Sequence, residues 1–565
     1  MTNKKATRAL ADLDQSKRRF GSGDAQLRQA LTILSKSQLT EVDSLVRFHE
    51  TVLFLRAYPP SATILKLTDE ILKSFEQRIS QLADADADVS ALDDPEVSGI
   101  AGGSVTSNFS YALVRWLVAK YPGQVSIDWD WFEEEDRFGA TMPRFLPLLD
   151  DDAMVEAHVP FREWLNAAKG RAREVTWLIQ QFESLQISDR EKAELYDALK
   201  LHVTWRFGDR ASRTLMRRPT RQIFIHDKPL IQRREISLVK ELSSPRIPIQ
   251  KLSLAEGQKI LDLARETSAV RYRELHGFTF GDARRVLKAD LGRGTEVFVT
   301  HVPPGNRLPL RAYHAALILK NGVPVAYFEG LSICERMESG FNLYYTFRDG
   351  ETAWLYARIL RLMRQLLGVT VISIDPYQVG HENEEGIESG AFWFYRKLGF
   401  RPVRPELMQL TEAEEQKMAK NPGYRTTPRT LRKLASGHML FEMPGGKTSK
   451  QWDRFQVRNI GLAVQRRMAR NFAGSSTKIR DYSWQFVTRT LDLKAKEWNE
   501  DQRMALGNLS LVLAMIPNIS RWNSSERALA ERLIRAKAGA DEALYLKLMQ
   551  RHAAVRDALI RFGSE

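Results

Sequence analysis

The chain has 565 residues, 43% hydrophobic and 27% charged, a composition typical of a soluble globular protein rather than a fibrous or disordered one. At about 150 residues per domain, the length predicts three or four domains. The single cysteine, Cys334, excludes an internal disulfide, a CxxC zinc site and an iron–sulfur cluster. No apolar core of a secretion signal follows the basic start. The most apolar window, residues 509–519, is shorter than the ~20 residues of a membrane span, so we expect a cytoplasmic protein without a membrane partner.

The positive charge is unevenly distributed along the chain. The formal net charge is +14, and residues 421–480 hold thirteen Lys or Arg against two acidic residues. A second basic run covers residues 206–246, while acidic residues cluster over residues 84–152. This asymmetry favours an anionic partner such as a nucleotide or RNA. For residues 421–480 we expect packing on the middle of the chain and complementation of the acidic segment, and nucleic-acid binding is the less favoured alternative.

Residues 1–245 show mainly the apolar periodicity of helices. Residues 61–79 carry one apolar stripe at helical spacing, which predicts a helix capped by Ser61. Pro59 and Pro60 end the helix before it, so a helical hairpin is predicted. The run AELYDALKLHVTWRF reads as a helix, and the stretch from Gly123 to Gly139 as a loop or short strand.

Residues 246–405 change to the pattern of a sheet. Runs of β-branched and aromatic residues flank Asn321-Gly322, the strongest short signal for a β-hairpin. A helix, the buried strand VTVISID, a loop, a second helix and a strand follow. This order predicts a mixed sheet, so the fold class is α+β, with a central mixed-sheet domain between mainly α-helical flanking regions.

Residues 406–565 return to helical periodicity. The region begins with helix-forming residues and a basic, linker-like stretch, YRTTPRTLRKLASGHMLFEMPGGKTSK. A terminal helical hairpin is predicted, capped at Ser525 and closed at Gly539.

The segment AFWFYRKLGF, residues 391–400, has a helix that carries a tyrosine and breaks at a glycine into a strand. With the preceding meander and central strand, it resembles the GNAT (N-acetyltransferase) superfamily, and the resemblance covers residues 246–405. It implies acyl transfer from acetyl-CoA or another acyl-CoA to an amine, without a metal. The matching general acid is Tyr395, a phenol that stays protonated at pH 7 and can protonate the departing thiolate. Packing beside Phe392 and Phe394 is the structural alternative for Tyr395.

The turn RDGETA, residues 348–353, stands where this family binds the donor pyrophosphate. A turn into a helix N-terminus offers free backbone amides and a positive dipole to phosphate. The resemblance implies Arg348, Gly350, Thr352 and Ala353 as donor-binding residues. Glu351 departs from the family pattern, because a carboxylate facing a diphosphate lowers affinity. Glu351 therefore turns away to cap the helix, or the donor binds differently, or donor binding is lost. Arg358 and Arg361 are weaker candidates for phosphate contact.

The general base is less clearly indicated by the sequence. Two residues are candidates by position: Glu329, on the strand that precedes the central strand, and Asp375, at the end of VTVISID. The loop from His381 to Glu388 is rich in carboxylates, and its spacing does not match an EF-hand. It is interpreted first as a solvated loop, next as an acidic lip for a basic acceptor, and last as a metal site.

The sequence therefore favours an acyl-CoA-dependent N-acyltransferase, and it leaves the acceptor amine and the oligomeric state open. Two alternatives remain. One is a degenerate GNAT-fold scaffold or RNA-binding protein without catalysis. The other is a tRNA-dependent aminoacyl transferase on a related fold, which the basic residues 421–480 would suit.

Overall fold

The computed structural model describes residues 3–21, 24–85, 87–146, 161–208, 211–220, 222–444 and 450–565. The acidic run from Asp150 and the PGGKT part of the basic linker lie at least partly outside these residues. Helices in the N-terminal region are α1 (Asn3–Ser16), α2 (Ala25–Ser35), α3 (Val42–Ala57), α4 (Ala62–Leu72), α5 (Phe75–Ala83), α6 (Tyr111–Lys120), α7 (Glu135–Thr141), α8 (Phe161–Lys169), α9 (Glu174–Ser184), α10 (Asp189–Asp197) and α11 (Leu238–Leu242).

The predicted helical hairpin is present as α3 and α4. The hydroxyl of Ser61 accepts a hydrogen bond from the Ile64 N–H at 3.2 Å, which caps α4. The prediction of one helix to residue 79 was wrong, because α4 ends at Leu72 and α5 begins at Phe75. The Ser74 hydroxyl between them donates to the Ile71 carbonyl at 2.7 Å and competes with the helical hydrogen bonds.

The N-terminal region also contains a small antiparallel sheet that the sequence only partly indicated. Its strands, in the order β1, β3, β2, are β1 (Ser104–Ser107), β2 (Val125–Ile127) and β3 (Val203–Arg206). A helix was wrongly predicted through β3. The chain leaves α10 and reaches Lys200, whose φ of 48° is left-handed, and the β-branched Val203 and Thr204 then form a strand.

A nine-stranded mixed sheet occupies the middle of the described chain, in the order β11-β12-β10-β9-β8-β7-β6-β5-β4. Its strands are β4 (Ile249–Lys251), β5 (Leu287–Gly292), β6 (Thr295–Thr300), β7 (Ala312–Lys320), β8 (Val323–Ile333), β9 (Arg336–Leu343), β10 (Val371–Ile374), β11 (Arg401–Pro402) and β12 (Met439–Glu442). The turn between β7 and β8 is the predicted Asn321-Gly322, with φ of 48° and 81°. Neighbouring strands are antiparallel except β9 and β10, which are parallel.

The interpretation of residues 424–450 as a linker was wrong, because this stretch contains strand β12. Met439–Glu442 pairs antiparallel with β10 and also with β11. The four residues are too short a run to show alternation, which is why the sequence pattern missed them. The sheet therefore takes one strand from beyond residue 405.

The helices around this sheet are α12 (Leu254–Ala269), α13 (His276–Thr279), α14 (Thr352–Leu367), α15 (Glu384–Glu388), α16 (Ala391–Arg396), α17 (Pro405–Lys420) and α18 (Pro428–Leu434). The C-terminal helices are α19 (Val457–Phe472), α20 (Ser476–Leu491), α21 (Glu500–Leu513), α22 (Ser524–Lys537), α23 (Ala543–Arg551) and α24 (Ala553–Ser564). The cap of α22 is Asn523, in a capping box with Glu526, rather than the predicted Ser525.

Two hydrophobic cores lie on opposite faces of the large sheet. One core joins Phe48 of α3, Val325 of the sheet and Leu546 of α23, so it includes all three predicted regions. The other joins Trp205 of the small sheet to Leu317 of β7. The architecture is therefore mixed α/β around one mixed sheet. Among the described helices, none is long and apolar enough to cross a membrane.

The expected pairing of the basic residues 421–480 with the acidic residues 84–152 is not observed. Within the parts of both segments that the structure describes, no ion pair joins them. Arg432 instead pairs with Glu384 of α15. Trp452 and Phe455 of the same segment are buried in the first core.

Candidate functional site

The site begins where β9 and β10 separate. The two strands pair only from Arg336↔Val371 to Glu338↔Ser373. Strand β9 then continues to Leu343, still paired with β8, while β10 ends at Ile374. Proline at position 376 starts a short 3-10 turn and takes the chain away from the sheet. The sheet is therefore open between the two strands along the second half of β9.

A cavity of about 770 Å³ occupies this opening. Phe341 and Asn342, adjacent residues of β9, both line it. Both belong to the part of β9 that β10 leaves unpaired, so the cavity borders the open edge of this strand. The remaining walls come from the turn before α14, from α15 and α16, and from residues 231–233 of the N-terminal region.

The structure brings five of the predicted site residues to this one cavity. Arg348, Gly350, Thr352 and Ala353 line one wall, where the turn enters α14. Tyr395 of α16 lines another. Tyr395 lies more than 40 positions after the turn in the sequence, and both border the opening that the separation of β9 and β10 creates.

The N-terminus of α14 faces the cavity without a side-chain cap. Glu351 occupies the N-cap position, but its side chain makes no capping hydrogen bond. Thr352 and Ala353, in the first turn, line the cavity. Since the first amides of a helix have no intrahelical acceptor, this end offers N–H donors and the positive end of the helix dipole. The arrangement suits an anionic group.

Glu351 turns away from the cavity into ion pairs, and the expectation that it caps the helix was wrong. Its carboxylate is 1% exposed and is paired with Arg293 at 2.5 Å and with Lys320 at 3.2 Å. Burial alone would raise the pKa of Glu351, but the hydrogen bond from Arg293 and the Lys320 charge outweigh it, so the pKa lies below its ordinary value. The carboxylate is neutralised by partners outside the cavity and does not repel an anion there.

Gly350 lies against the aromatic ring of Tyr58. A Cβ at position 350 would stand 2.5 Å from the Tyr58 hydroxyl oxygen. The glycine is therefore required by close approach of the N-terminal region to the turn. The adjacent Asp349 is paired with Arg18 of the segment after α1, at 2.7 Å.

The arginines near the turn have different partners. Arg348 lines the cavity and pairs with Glu385 of α15, which lines it too. Arg358 and Arg361, the weaker candidates for phosphate contact, instead pair with Glu241 of α11, at 3.2 and 2.8 Å. Only Arg348 of the three is among the residues that line the cavity.

Tyr395 is almost fully buried, with its ring among other aromatic side chains. It makes edge contacts with Tyr356 and Phe400, at centroid distances of 5.7 and 5.6 Å. Burial raises the pKa of its phenol, so the hydroxyl is protonated at neutral pH. Tyr395 therefore packs among aromatic side chains, as a purely structural role would require, and it also lines the cavity.

The two candidate bases lie outside the residues that line the cavity. Glu329 faces the same side of the sheet as Tyr327, which does line it, and accepts a hydrogen bond from the Tyr313 hydroxyl at 2.5 Å. Burial raises the pKa of Glu329. Asp375 accepts a hydrogen bond from the Tyr377 N–H at 2.9 Å and so caps the 3-10 turn. Its position serves local structure.

Several cavity residues were not found from the sequence. Arg273 lines the cavity on the Tyr327 side and donates to the Tyr327 hydroxyl at 3.0 Å. Arg233 also lines it and donates to the Lys397 carbonyl at 3.3 Å, and its only signal was membership of the basic run over residues 206–246. Arg273 follows α12 and belongs to no motif, so only the folded chain identifies it.

The carboxylate-rich loop is held by arginines. Glu384 pairs with Arg432, and Glu385 with Arg348. The Asn383 side chain accepts a hydrogen bond from the Gly386 N–H at 3.3 Å. Among the residues that the structure describes, no group of three or more His, Cys, Asp or Glu side chains could hold a metal ion.

Comparisons with protein-family models, curated proteins and solved structures found no match for this chain.

Proposed function

We propose that this protein is an acyl-CoA-dependent N-acyltransferase with a GNAT-like domain at its centre. The observation that carries the proposal is the shared cavity: the uncapped start of α14, Arg348 and the Tyr395 phenol all border the opening between β9 and β10. A volume of about 770 Å³ is within the usual range of small-molecule sites.

The residues of the cavity suit the parts of a CoA thioester. Its diphosphate would accept hydrogen bonds from the first amides of α14 and from Arg348, with Arg233 as a second cation nearby. Its extended pantetheine amides would pair with the backbone of β9 beyond the last β10 pair, as an added strand does. The thioester would then lie in the opening, beside Tyr395.

In the proposed reaction, the acceptor amine attacks the thioester carbonyl. A C–N bond forms, the C–S bond breaks, and the Tyr395 hydroxyl gives its proton to the departing thiolate. The proton lost by the amine passes to a base on the Tyr327 side of the sheet. Glu329, which lies two residues along β8 from Tyr327 of the cavity wall, would take this proton through water, and Asp375, two residues before Tyr377, is the other candidate.

Calorimetric titration with acetyl-CoA tests the proposal. We expect measurable binding that weakens about tenfold in Arg348→Ala, the loss of roughly 1.4 kcal/mol that a charge-assisted phosphate contact supplies. Arg358→Ala is the matched control: it removes an arginine from the same helix region but one bound to Glu241 outside the cavity, so affinity should not change. Absence of heat with CoA, acetyl-CoA and longer acyl-CoAs contradicts the proposal.

The Arg348–Glu385 pair is the observation that favours the non-catalytic alternative, since a neutralised arginine attracts phosphate less strongly. A scaffold of this kind predicts no CoA binding. A tRNA-dependent aminoacyl transferase predicts transfer from aminoacyl-tRNA without any effect of CoA. The same titration, followed by transfer assays with each donor, separates the three functions.

A further inference from the structure

Helices α19 and α20 form a basic hairpin on the surface of the protein. Ala473 and Gly474, both with positive φ, end α19, and the Ser475 hydroxyl caps α20. The base of α19 is fixed to α24, where the Gly563 carbonyl accepts hydrogen bonds from Gln456 N–H and Asn459. Residues 457–482, here called the basic hairpin, hold six basic residues and one acidic residue.

The charges of the basic hairpin are exposed and unneutralised. From residue 461 to residue 478 no side chain is buried. Five of its cations are exposed, and among the described residues none of the five forms an ion pair: Arg458, Arg466, Arg470, Lys478 and Arg480. Elsewhere the protein pairs many of its surface arginines, as with Arg432 and Glu384. Concentrated like charge without counter-charges favours a polyanionic partner.

An aromatic patch lies beside these cations. Tyr482 is 47% exposed and stacks parallel to Phe486, with an interplanar angle of 7°. Phe472 packs against Tyr482 at a centroid distance of 5.3 Å, and the Arg467 guanidinium lies over both rings. Lys478, Tyr482 and Phe486 are spaced by four residues and so follow one face of α20.

We propose that the basic hairpin binds single-stranded RNA. Exposed cations beside an accessible aromatic ring match the two parts of an unpaired strand, because the phosphates meet Lys and Arg while a base stacks on the ring. A duplex hides its base faces, and an acidic protein surface would pair with the cations without needing the exposed ring. Unpaired nucleotides are common in RNA loops, whereas DNA is mostly duplex, so RNA is the partner that fits. This surface is separate from the cavity, and the inference does not depend on acyl transfer.

The test is fluorescence anisotropy of a labelled 20-nucleotide poly(U) strand with the full chain at several KCl concentrations. We expect a dissociation constant of about 1–100 μM near 100 mM salt. Arg466→Gln with Arg470→Gln should weaken binding about tenfold and reduce the slope of log affinity against log salt by about 1.4, which is two lost phosphate contacts at ~0.7 each. Tyr482→Ala should weaken binding about fivefold or more and leave the slope unchanged.

The control removes the same charge elsewhere. Arg8→Gln with Arg28→Gln neutralises two exposed arginines of α1 and α2, and RNA affinity should not change by more than about twofold. All the changed side chains are exposed, so each variant should fold. A thermal unfolding transition checks this for each one. The proposal is overturned by no binding at 50 mM KCl, by equal losses in hairpin and control variants, by equal affinity for duplex RNA, or by full competition from poly-glutamate at equal charge.

Discussion

At the scale of single residues, Tyr395 is the most direct test of chemistry. Phenylalanine at this position keeps the ring contacts with Tyr356 and Phe400 and removes only the proton donor. Tyr395→Phe should lower the rate of thiol release from acetyl-CoA in the presence of primary amines by about 100-fold or more, with the melting temperature nearly unchanged. Tyr377→Phe, at an exposed tyrosine of the same cavity, is the control and should retain the rate. An equal rate in Tyr395→Phe shows that the tyrosine only packs.

Glu385 should oppose donor binding, because it neutralises Arg348 inside the cavity. Glu385→Gln keeps the shape of the side chain and removes the charge, so we expect affinity for CoA to rise about threefold to tenfold. The gain is limited because both partners are partly exposed. Glu384→Gln is the neighbouring control, since Glu384 pairs with Arg432 and lines a different surface. Calorimetry that finds weaker binding in Glu385→Gln would mean that the pair itself holds the site in shape.

At the scale of elements, His226 joins the segment before α11 to the N-terminal helices. Its backbone N–H donates to the Pro59 carbonyl at 2.8 Å. Its imidazole ring is fully buried and packs on Tyr58. Burial, reinforced by the Lys320 charge, lowers the pKa of His226 to about 3. Between pH 6.5 and 3 the unfolded chain therefore binds a proton that the folded chain does not, and stability falls as the pH falls.

His226→Phe removes this proton linkage and keeps a buried ring. From pH 7 to pH 5, the unfolding free energy of the wild type should fall by about 1–2 kcal/mol more than that of the variant. Urea denaturation at the two pH values measures the difference. Parallel losses in both proteins would mean that His226 is protonated in the folded state.

Elements whose signals are local in the sequence could be predicted, and elements that depend on distant partners could not. The Asn321-Gly322 turn and the Ser61 cap depend on neighbours within four residues, so their signals are local. Strand β12 and the small sheet depend on partners far away in the chain, and short strands carry little periodicity. Within the site, Tyr395 and Arg348 came from a motif, whereas Arg273 lies in no motif and becomes recognisable only beside Tyr327.

At the scale of the whole molecule, the large sheet depends on residues beyond the middle region. β10 and β11 both pair with β12, and the first core includes side chains of α3 and α23. A fragment of residues 246–405 lacks these partners and leaves apolar surface and strand edges uncovered. We expect it to show no cooperative thermal transition by circular dichroism, whereas the full chain does. A cooperative transition in the fragment would show that the middle region is an independent domain.

The central claim is that an acyl-CoA donor occupies the opening between β9 and β10. Amide hydrogen exchange of the full chain, with and without saturating acetyl-CoA, tests it most directly. We predict slower exchange in peptides that cover the second half of β9, the turn at residues 348–353 with the start of α14, and α16, and no change in the basic hairpin. Protection confined to other parts of the chain, or no protection at any concentration of acetyl-CoA, would contradict the claim.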